Sequence, residues 1–455
     1  MLRIFKPDQA RKTILKRVPP GEAEVPQKLL EGIEQFFGEK LSPYQAVSRI
    51  LTDVRLQGDQ GLRMWAERLD GYAPQNFRVA QRDLEAAPQT LSPEVVESLE
   101  TAARRIEDFH RRQPLSSWST GDLGGALGQL IRPIRRVGLY VPAGTAPLPS
   151  SVLMSAIPAR VAGVPEIVVV APPQRATGRV APSILAACQV AGVKEVYALG
   201  GAQAIAALAY GTETIPAVDK IFGPGNLFVT LAKQQVFGLV GVDGLAGPTE
   251  TMVIADGEAN PAWVAADLLA QAEHDVLASA ILLTPSRALA EKVQIEVAHQ
   301  MEDLSRAHII AASLQNRSGA VLTKDLEEAV QLSNQYAPEH LCLAVSDPQK
   351  LLDKITAAGG VFLGEYSFEV LGDYVAGPSH VMPTGGSARF ASPLNVWDFI
   401  HIVSLVALDR TTAAQVAPTA ATIARTEGLD AHARAAERRV EAAQQPEVIS
   451  GTERP

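Results

Sequence analysis

Residues 243–275 read DGLAGPTETMVIADGEANPAWVAADLLAQAEHD, and they indicate how this part of the chain folds. Within them, Thr251–Asp256 is a short apolar run rich in β-branched residues, and it has the length of a strand. Asn260 followed by Pro261 predicts the start of a helix, because Asn is a favoured N-cap and Pro is favoured at the first helical position. The stretch therefore predicts a strand, a turn and a helix in succession.

The predicted helix carries two polar side chains at its end, Gln271 and His274. Residues three apart on a helix project from the same face, so this pair could hold a metal ion or a substrate. A polar helix end with one surface histidine is the commoner arrangement and fits the same spacing. The spacing alone therefore leaves both interpretations open.

Short apolar runs alternate with helical patterns on both sides of this stretch. The runs that predict strands are residues 137–141, 166–171, 195–199 and 220–222 before it, and residues 278–284, 341–345 and 360–363 after it. Such alternation predicts parallel, doubly wound sheets in two similar halves, and a crevice between two halves is a common place for a small-molecule site. The predicted fold class is α/β, with two doubly wound, Rossmann-like domains and helical N- and C-terminal segments.

The chain is predicted to divide into five parts. They are an N-terminal helical segment (1–35), a discontinuous first α/β domain (36–120 and 250–393), a second α/β domain (121–249), a C-terminal helical segment (394–443) and a disordered tail (444–455). Residues 364–393 are rich in Gly, Pro and Ser and are predicted to form a loop. The tail is polar and contains two prolines, so it is expected to be frayed.

The composition narrows the range of partners. Hydrophobic residues make up 47% of the 455 residues and charged residues 20%, which indicates a globular protein with a large core. The net charge of −9, without a Lys/Arg stripe and interleaved aromatics, disfavours nucleic acid and anionic membranes as partners. No apolar run is long enough to span a bilayer, so no membrane association is expected.

Cysteine usage bears on both compartment and chemistry. Only Cys188 and Cys342 occur, which is too few for a disulfide framework and suggests a reducing compartment. Both lie in apolar patterns, so we expect buried core residues and not nucleophiles. A cytoplasmic protein is expected, while the basic N-terminus leaves organelle targeting open.

Three loops at predicted strand–helix junctions are rich in glycine. They read YVPAG at residues 140–144, GGAQ at 200–203 and GPGN at 223–226. Glycine lets a ligand approach the backbone, and a following helix N-terminus favours an anion such as a pyrophosphate. Tight turns would need the same glycines, and none of the three is a G-x-G-x-x-G fingerprint, so these loops alone do not establish a dinucleotide site.

Polar residues gather in several further loops. Glu339 and His340 are adjacent before a predicted strand and could form an acid/base pair, because His titrates near neutrality and a carboxylate can activate water. The other clusters are residues 372–374 (GDY), 379–380 (SH) and 427–432 (EGLDAH). Imidazole, carboxylate and amide oxygen suit Zn²⁺, but no H-x-x-x-H or C-x-x-C motif anchors these candidates.

Taken together, these motifs resemble the histidinol dehydrogenase family over nearly the whole chain. The most specific match is AGPTE followed by AEH within residues 246–274. The other matches, in chain order, are YVPAGTAPLPSSVLM, GGAQAIAALAYG, FGPGN, YAPEHL, GDYVAGPSH and EGLDAH. Thr249 stands where the family often has Ser and keeps the hydroxyl, whereas Ala143 and Leu148 replace a usual Gly and a frequent Tyr near the cofactor loop.

The resemblance implies a zinc- and NAD-dependent enzyme that forms an intertwined homodimer. It implies one Zn²⁺ per subunit, with the ligands Gln271, His274, Asp373 and, from the partner subunit, His432. Glu339 is implied to activate water, and His340 to act as general base and acid. The implied NAD contacts, in the second α/β domain, are Tyr140, Gln203 and Asn226. The implied substrate contacts are Thr249, His340, the four zinc ligands and Glu427, which is also supplied in trans.

The implied reaction oxidises L-histidinol to L-histidine through L-histidinaldehyde, with two sequential hydride transfers to NAD⁺, as the last steps of histidine biosynthesis. It needs no covalent nucleophile, in agreement with the apolar settings of both cysteines. One alternative is a paralogous zinc- and NAD-dependent dehydrogenase of the same fold that acts on another polyol or a sulfonated diol. The EGLDAH segment disfavours it, because this segment shapes the substrate end of the site. A second alternative is a non-catalytic small-molecule binding protein, which the intact Glu339–His340 pair disfavours.

Overall fold

The computed structural model describes residues 2–17, 25–72, 74, 76–143 and 146–444. Within them the chain forms two compact units. Unit 1 comprises residues 1–113 and 134–399, and unit 2 comprises residues 114–133 and 400–455. Except for residue 444, which ends a helix, the predicted disordered tail lies outside the described residues.

Strands and helices alternate along most of the chain. The strands are β1 (Ile4–Phe5), β2 (Trp118–Thr120), β3 (Ala126–Pro133), β4 (Arg136–Tyr140), β5 (Glu166–Ala171), β6 (Glu195–Ala198), β7 (Lys220–Phe222), β8 (Gly241–Val242), β9 (Glu250–Ala255), β10 (Ser279–Thr284), β11 (Gly319–Leu322), β12 (His340–Ala344), β13 (Gly360–Leu363) and β14 (Ile400–Ala407). The helices are α1 (Pro7–Lys12), α2 (Gln27–Phe37), α3 (Pro43–Gln57), α4 (Asp59–Asp70), α5 (Gln81–Ala86), α6 (Pro93–His110), α7 (Pro149–Val161), α8 (Pro182–Ala191), α9 (Gly201–Tyr210), α10 (Leu227–Val236), α11 (Pro261–Ala272), α12 (Arg287–Met301), α13 (Ala307–Asn316), α14 (Leu326–Tyr336), α15 (Gln349–Leu352), α16 (Glu369–Tyr374), α17 (Arg410–Thr426) and α18 (Asp430–Gln444).

The first sheet of unit 1 has five parallel strands in the order β6-β5-β4-β7-β8. From β4 the chain winds outward through β5 and β6, and then returns to the other side of β4 through β7 and β8. The winding direction therefore reverses between β4 and β7. Helices cover both faces, so β4 is buried along its whole length, as expected for a central strand of a parallel sheet.

The second sheet of unit 1 repeats this winding with six parallel strands in the order β1-β11-β10-β9-β12-β13. Here the reversal falls between β9 and β12, and β1 adds to the outer edge of β11. All residues of β9, β10 and β12 are buried. Two doubly wound parallel sheets confirm the predicted α/β class. The short strand β1 has no periodicity from which it could be predicted.

The opening stretch folds as predicted. The strand is β9, and the Asn260 side chain caps α11 by accepting a hydrogen bond from the Ala262 amide at 3.0 Å. The helix ends at Ala272, so His274 lies just beyond it, with its amide bonded to the Gln271 carbonyl oxygen at 3.3 Å. Cys188 and Cys342 are both buried and free, as predicted.

Two local predictions differ from the structure. Residues 364–393 were expected to form a loop, but they contain α16, because Gly372 and the surrounding polar residues mask its short helical pattern. Helices α3 and α4 pack into the core of the five-stranded sheet, where Trp65 and Ile50 share a buried cluster with Tyr197. The sequence-based division instead grouped residues 36–120 with residues 250–393, because apolar periodicity shows which face is buried but not which sheet it covers.

Unit 2 consists of an antiparallel sheet, β14-β3-β2, and a hairpin of α17 and α18. The C-terminal segment was expected to be helical, but its first part forms β14, whose eight residues are too few to separate strand from helix by pattern. Ala421, Ala424 and Ala433 form the small core of the hairpin. Across the described residues, the helices are too short or too polar to cross a membrane.

Candidate active site

The candidate catalytic residues meet at the amino-terminal ends of β9 and β12, the central strands of the six-stranded sheet. Thr251 and His340 are paired across these strands. The Glu250 amide and the Thr249 hydroxyl donate hydrogen bonds to Glu339 Oε2, at 3.0 and 2.5 Å. Parallel pairing thus brings the AGPTE and YAPEH motifs, which are distant in sequence, into direct contact.

His340 is almost fully buried, with 3% of its surface exposed. Its Nδ1 lies 3.3 Å from the Glu250 carbonyl oxygen, and its Nε2 lies 3.5 Å from Asp373 Oδ1. The Nε2 atom is buried and has no well-formed hydrogen bond. A buried polar atom without a partner is costly, so it is typically satisfied by a ligand or by an ordered water. Nε2 therefore marks a position where a polar group of a substrate can bind.

Neighbouring charges shift the pKa values of the adjacent pair. Burial lowers the pKa of His340, but the carboxylates of Glu369, Glu339 and Asp373 outweigh it and raise this pKa to about 10. Burial raises the pKa of Glu339 to about 7, against the opposing effects of the His340 charge and the Thr249 hydrogen bond. Three carboxylates thus surround one imidazole in a buried site, an arrangement that a cationic ligand would stabilise.

Glu369 completes this cluster, although no sequence motif singled it out. Its side chain is buried, accepts a hydrogen bond from Thr251 Oγ1, and places Oε1 3.8 Å from His340 Nδ1. Burial raises the pKa of Glu369 well above that of an ordinary carboxyl group. It lies on α16 four residues before Asp373, so the two carboxylates share a helix face. That E-x-x-x-D spacing is the signal from which Glu369 could be found.

The Gln271 side chain is fully buried beside this cluster. Its nitrogen donates to Glu369 Oε1, and its oxygen accepts at 2.8 Å from the Glu250 amide, whose N–H is shared with Glu339 Oε2. Gln271 is therefore a buried contact of the cluster, whereas His274 lies just beyond the helix and is exposed. Gln271 connects the strand, the helix and α16, and its oxygen would exchange one of these hydrogen bonds to bind a metal ion.

His274, Asp373 and His380 are electrostatically coupled around the same cluster. Burial lowers the pKa of His274, although the ring remains partly open to solvent, and Asp373 opposes this shift. Burial raises the pKa of Asp373, but the adjacent His340 imidazole more than offsets it, so the net shift is downward. His380, which the sequence placed in a polar loop without a role, has Nδ1 2.8 Å from the Asp373 carbonyl oxygen. Burial also lowers the pKa of His380, so neutral imidazoles are favoured at His274 and His380 beside an ionised Asp373 carboxylate.

The donor chemistry of Gln271, His274 and Asp373 fits a zinc ion. An amide oxygen, a neutral imidazole and a carboxylate are all acceptable ligands for Zn²⁺. In the part of the chain that the structure describes, no three His, Cys, Asp or Glu side chains are grouped to hold a metal ion. The predicted ligand set includes only two side chains of these types from one chain, His274 and Asp373. The third ligand is the Gln271 amide, and the fourth is His432 of the partner subunit. The zinc ligands stay a prediction.

The predicted cofactor contacts lie at the carboxyl-terminal edge of the five-stranded sheet. Tyr140 ends β4, Gln203 lies in the first turn of α9, and Asn226 caps α10. The Tyr140 hydroxyl accepts a hydrogen bond from the Gly201 amide at 3.2 Å, and Gln203 Nε2 donates to Asp70 Oδ2 at 3.1 Å. Gln203 Oε1 is buried without a partner. Tyr140 and Asn226 thus flank the reversal between β4 and β7, where doubly wound sheets bind nucleotides.

A buried ion pair stabilises the conformation of the FGPGN loop after β7. Lys233 forms an ion pair with Asp243 and donates a hydrogen bond to the Gly223 carbonyl oxygen at 3.0 Å. Asp243 Oδ2 in turn accepts from the Gly223 amide at 2.7 Å. Gly223 has φ +108° and a Cβ there would lie 2.1 Å from the Tyr140 carbonyl oxygen, so only glycine fits. The NAD contacts themselves stay predictions.

Glu427 and His432 belong to unit 2 and lie at the tip of its helical hairpin. Glu427 is the C-cap of α17, and Gly428 after it has φ +76°. His432 lies in the first turn of α18, and its amide is bonded to the Leu429 carbonyl oxygen at 3.1 Å. Both side chains are exposed. Their roles at a partner's site also stay predictions.

Known proteins resemble this chain over most of its length. A family model described as histidinol dehydrogenase matches residues 39–440. A histidinol dehydrogenase of Deinococcus radiodurans is 54% identical, over 91% of this chain and 95% of its own length. One from Thermus thermophilus is 52% identical, over 86% of this chain and 93% of its own length. The crystal structure of a histidinol dehydrogenase from Elizabethkingia anophelis superposes with a TM-score of 0.88 at 35% identity, over 98% of this chain and 99% of that one.

Proposed function

This chain belongs to the histidinol dehydrogenase family of NAD-dependent oxidoreductases, and on that premise we propose which residues carry out each step. It is an enzyme that oxidises histidinol with NAD⁺ as the hydride acceptor. The proposed sequence runs from L-histidinol through L-histidinaldehyde to L-histidine and consumes two NAD⁺. The observation that carries the residue assignment is the buried Glu339–His340 pair, with the unpartnered His340 Nε2 beside Asp373.

In the first oxidation, His340 takes the proton of the substrate hydroxyl while the carbinol carbon loses a hydride to NAD⁺. A base must lie within hydrogen-bond reach of that proton, and the buried Nε2 atom, which lacks a well-formed hydrogen bond, is the proposed acceptor. His340 must be neutral for this step, whereas its three carboxylate neighbours favour the imidazolium. The positive charge of a bound zinc ion or of a cationic substrate would offset those carboxylates and lower the pKa of His340.

In the second oxidation, Glu339 takes a proton from water as the water oxygen bonds to the aldehyde carbon. The hydrate then loses a hydride to the second NAD⁺ and a proton to His340, which has by then released the alcohol proton to solvent, and the carboxylate product remains. A pKa of about 7 for Glu339, set mainly by burial, is suited to a base at neutral pH. The Thr249 and Glu250 hydrogen bonds to its Oε2 leave the other carboxylate oxygen for water.

The two-step assignment is tested by counting NADH. With purified, zinc-loaded protein and limiting L-histidinol, two NADH should form per histidinol consumed, and histidine should be the product. One NADH per histidinol, with free aldehyde as the product, would refute the assignment of both steps to one site. The ratio is read by absorbance, and the product by chromatography.

Zinc is proposed as a resident ion of this site, bound by Gln271, His274, Asp373 and His432 of the partner subunit. The ion would fix the nitrogen atoms of the substrate and add positive charge to a strongly acidic site. The neutral state favoured for His274 and the ionised state favoured for Asp373 support this assignment.

Replacing His274 with Asn is expected to remove zinc and activity together. One lost ligand should lower the affinity for zinc by about 100-fold or more, because the shorter Asn side chain does not carry a donor atom to the position of the imidazole nitrogen. Zinc is measured by elemental analysis after dialysis, and activity by NADH formation. The matched control is His299→Asn, an exposed histidine on α12, which should keep both. A zinc-free His274→Asn protein with full activity would contradict the metal assignment.

A homodimer is proposed because unit 2 exposes apolar side chains that a second copy can cover. Strand β14 is apolar but largely exposed, with Ile402 at 55% and Val406 at 69% exposure. On the hairpin, Ile423 is 55% exposed and Leu429 42%. Soluble proteins rarely leave contiguous apolar surface of this kind uncovered. His432 and Glu427 are exposed on the same hairpin, so a partner that covers it would also meet them.

A further inference from the structure

Arg17, in the N-terminal segment after α1, makes a set of contacts that its sequence context does not predict. Its guanidinium forms two hydrogen bonds with the Glu250 carboxylate, one of them 2.8 Å long from Nη2 to Oε2. It also donates to the Tyr336 carbonyl oxygen, from Nε at 2.9 Å and from Nη2 at 2.6 Å, and to the Ala337 carbonyl oxygen at 3.2 Å. The guanidinium carbon lies 3.5 Å from the centre of the Tyr336 ring. Arg17 therefore connects two segments that are remote in sequence.

The segment that contains Glu250 contacts both candidate catalytic residues through its backbone. The Glu250 amide donates to Glu339 Oε2 at 3.0 Å, and the Glu250 carbonyl oxygen faces His340 Nδ1 at 3.3 Å. The Glu250 side chain is buried, and its other hydrogen bond is a long one of 3.3 Å from the Gly385 amide. Arg17 thus neutralises the buried carboxylate of the residue that holds both members of the pair.

The second segment leads directly into the pair. Tyr336 ends α14, and Ala337 adopts a left-handed conformation with φ +53°, the one non-glycine residue with positive φ among the residues the structure describes. Alanine is unfavourable there, so surrounding contacts must hold the turn. The guanidinium binds the carbonyl oxygens on both sides of that turn and lies at a helix C-terminus, where positive charge is favoured. Two residues later the chain reaches Glu339.

We propose that Arg17 is a positioning residue for the Glu339–His340 pair, acting through Glu250 and the Tyr336–Ala337 turn. This inference rests on the catalytic roles proposed above for Glu339 and His340. Arg17 itself contacts neither residue in the hydrogen-bond network, so its removal should loosen the pair without removing a substrate contact. A misplacement of catalytic groups by about 1 Å can cost a factor of about 100 in rate.

The test compares Arg17→Met and Arg17→Lys with the matched control Arg11→Met. Arg11 also joins the N-terminal segment to α14, through an exposed hydrogen bond of 3.3 Å to Gln335 Oε1, but it does not touch the turn or Glu250. We expect kcat for histidinol to fall by about 10- to 100-fold in both Arg17 variants, with KM values for histidinol and NAD⁺ within about threefold. Lysine should not substitute, because one ammonium cannot bind the carboxylate in two places and both carbonyl groups.

Thermal unfolding midpoints are measured first, and kinetics are recorded well below the lowest one. If Arg17→Met does not fold, Arg17→Lys alone decides the question. Kinetics like those of Arg11→Met, or a loss confined to KM, would overturn the proposal. A lowered midpoint with unchanged kcat would also overturn it, because Arg17 would then be structural only.

A double-mutant comparison separates this proposal from the assignment of Glu339. Independent effects would multiply the fold-losses in the rate of aldehyde oxidation measured for Arg17→Met and for Glu339→Gln. If Arg17 acts through Glu339, the double variant should lose much less rate than that product. Multiplicative losses would reject the positioning role while leaving Glu339 as a catalytic residue. Full activity of Glu339→Gln alone would instead reject the catalytic role of Glu339, whatever Arg17 does.

Discussion

Replacing Glu339 with Gln should stop the second oxidation while leaving most of the first. The amide has the size of the carboxylate, and its oxygen can still accept the hydrogen bonds from the Thr249 hydroxyl and the Glu250 amide. The site should therefore keep its shape. An amide cannot take a proton from water, however, so aldehyde oxidation should fall by about 100- to 10,000-fold, the usual contribution of a general base.

The NADH count reveals this split directly. The wild-type protein should form two NADH per histidinol, whereas Glu339→Gln should approach one, with histidinaldehyde accumulating and captured by a carbonyl reagent. The first hydride transfer should change by less than about tenfold, because the base proposed for it is His340. The control is Glu327→Gln, which removes an exposed carboxylate on α14 that pairs with Lys354. Equal losses in both half-reactions would contradict the role of Glu339 as the activator of water.

The adjacency of Glu339 and His340 is consistent with the proposal that one site performs both steps. Their pKa values shift in ways that depend on each other, because the charge of His340 lowers the pKa of Glu339 and the carboxylate raises that of His340. Each proton that His340 gains therefore makes Glu339 easier to ionise. A pair coupled in this way can hold the proton released by the alcohol and still present a base to water.

The sequence places the cofactor candidates at one edge of a sheet, but it does not bring the catalytic candidates together. Tyr140, Gln203 and Asn226 follow strands, so the rule that functional loops lie at strand carboxyl ends places them on one edge. Thr249 and Glu339 precede their strands and lie at the opposite, amino-terminal ends of β9 and β12. No general rule predicts that edge, and motif resemblance was needed to connect these residues.

Other features depend on tertiary contacts that local patterns do not encode. Glu369 lies in a Gly-rich segment, and its importance follows from packing against Thr251 and His340 on other elements. Arg17 is one basic residue in a basic N-terminus until the fold places Glu250 against it. Strand β14 pairs with β3, which precedes it by well over two hundred residues, so its neighbours in sequence gave no indication of a sheet. In each case the partner, not the local pattern, determines the role.

A second large loss of activity is expected when His432 is replaced, and it can show which subunit supplies this residue. Replacing His432 with Ala should abolish activity, as should His274→Asn, because each removes one proposed zinc ligand. If His432 acts in trans, a hybrid dimer of the two variants has one site with both histidines intact and one site lacking both. Random mixing puts half of the chains into hybrids, so about a quarter of wild-type activity should return.

The decisive comparison mixes variants whose lost ligands are both predicted to lie in the same chain. His274→Asn mixed with Asp373→Asn should recover nothing, because every site in such a hybrid lacks one ligand. Hybrid formation is confirmed in both mixtures by tagging one variant and isolating the mixed dimer. Recovery with His432→Ala but not with Asp373→Asn would show that unit 2 completes a partner's site. Failure of both mixtures, with hybrids confirmed, would mean that Gln271, His274, Asp373 and His432 act within one chain.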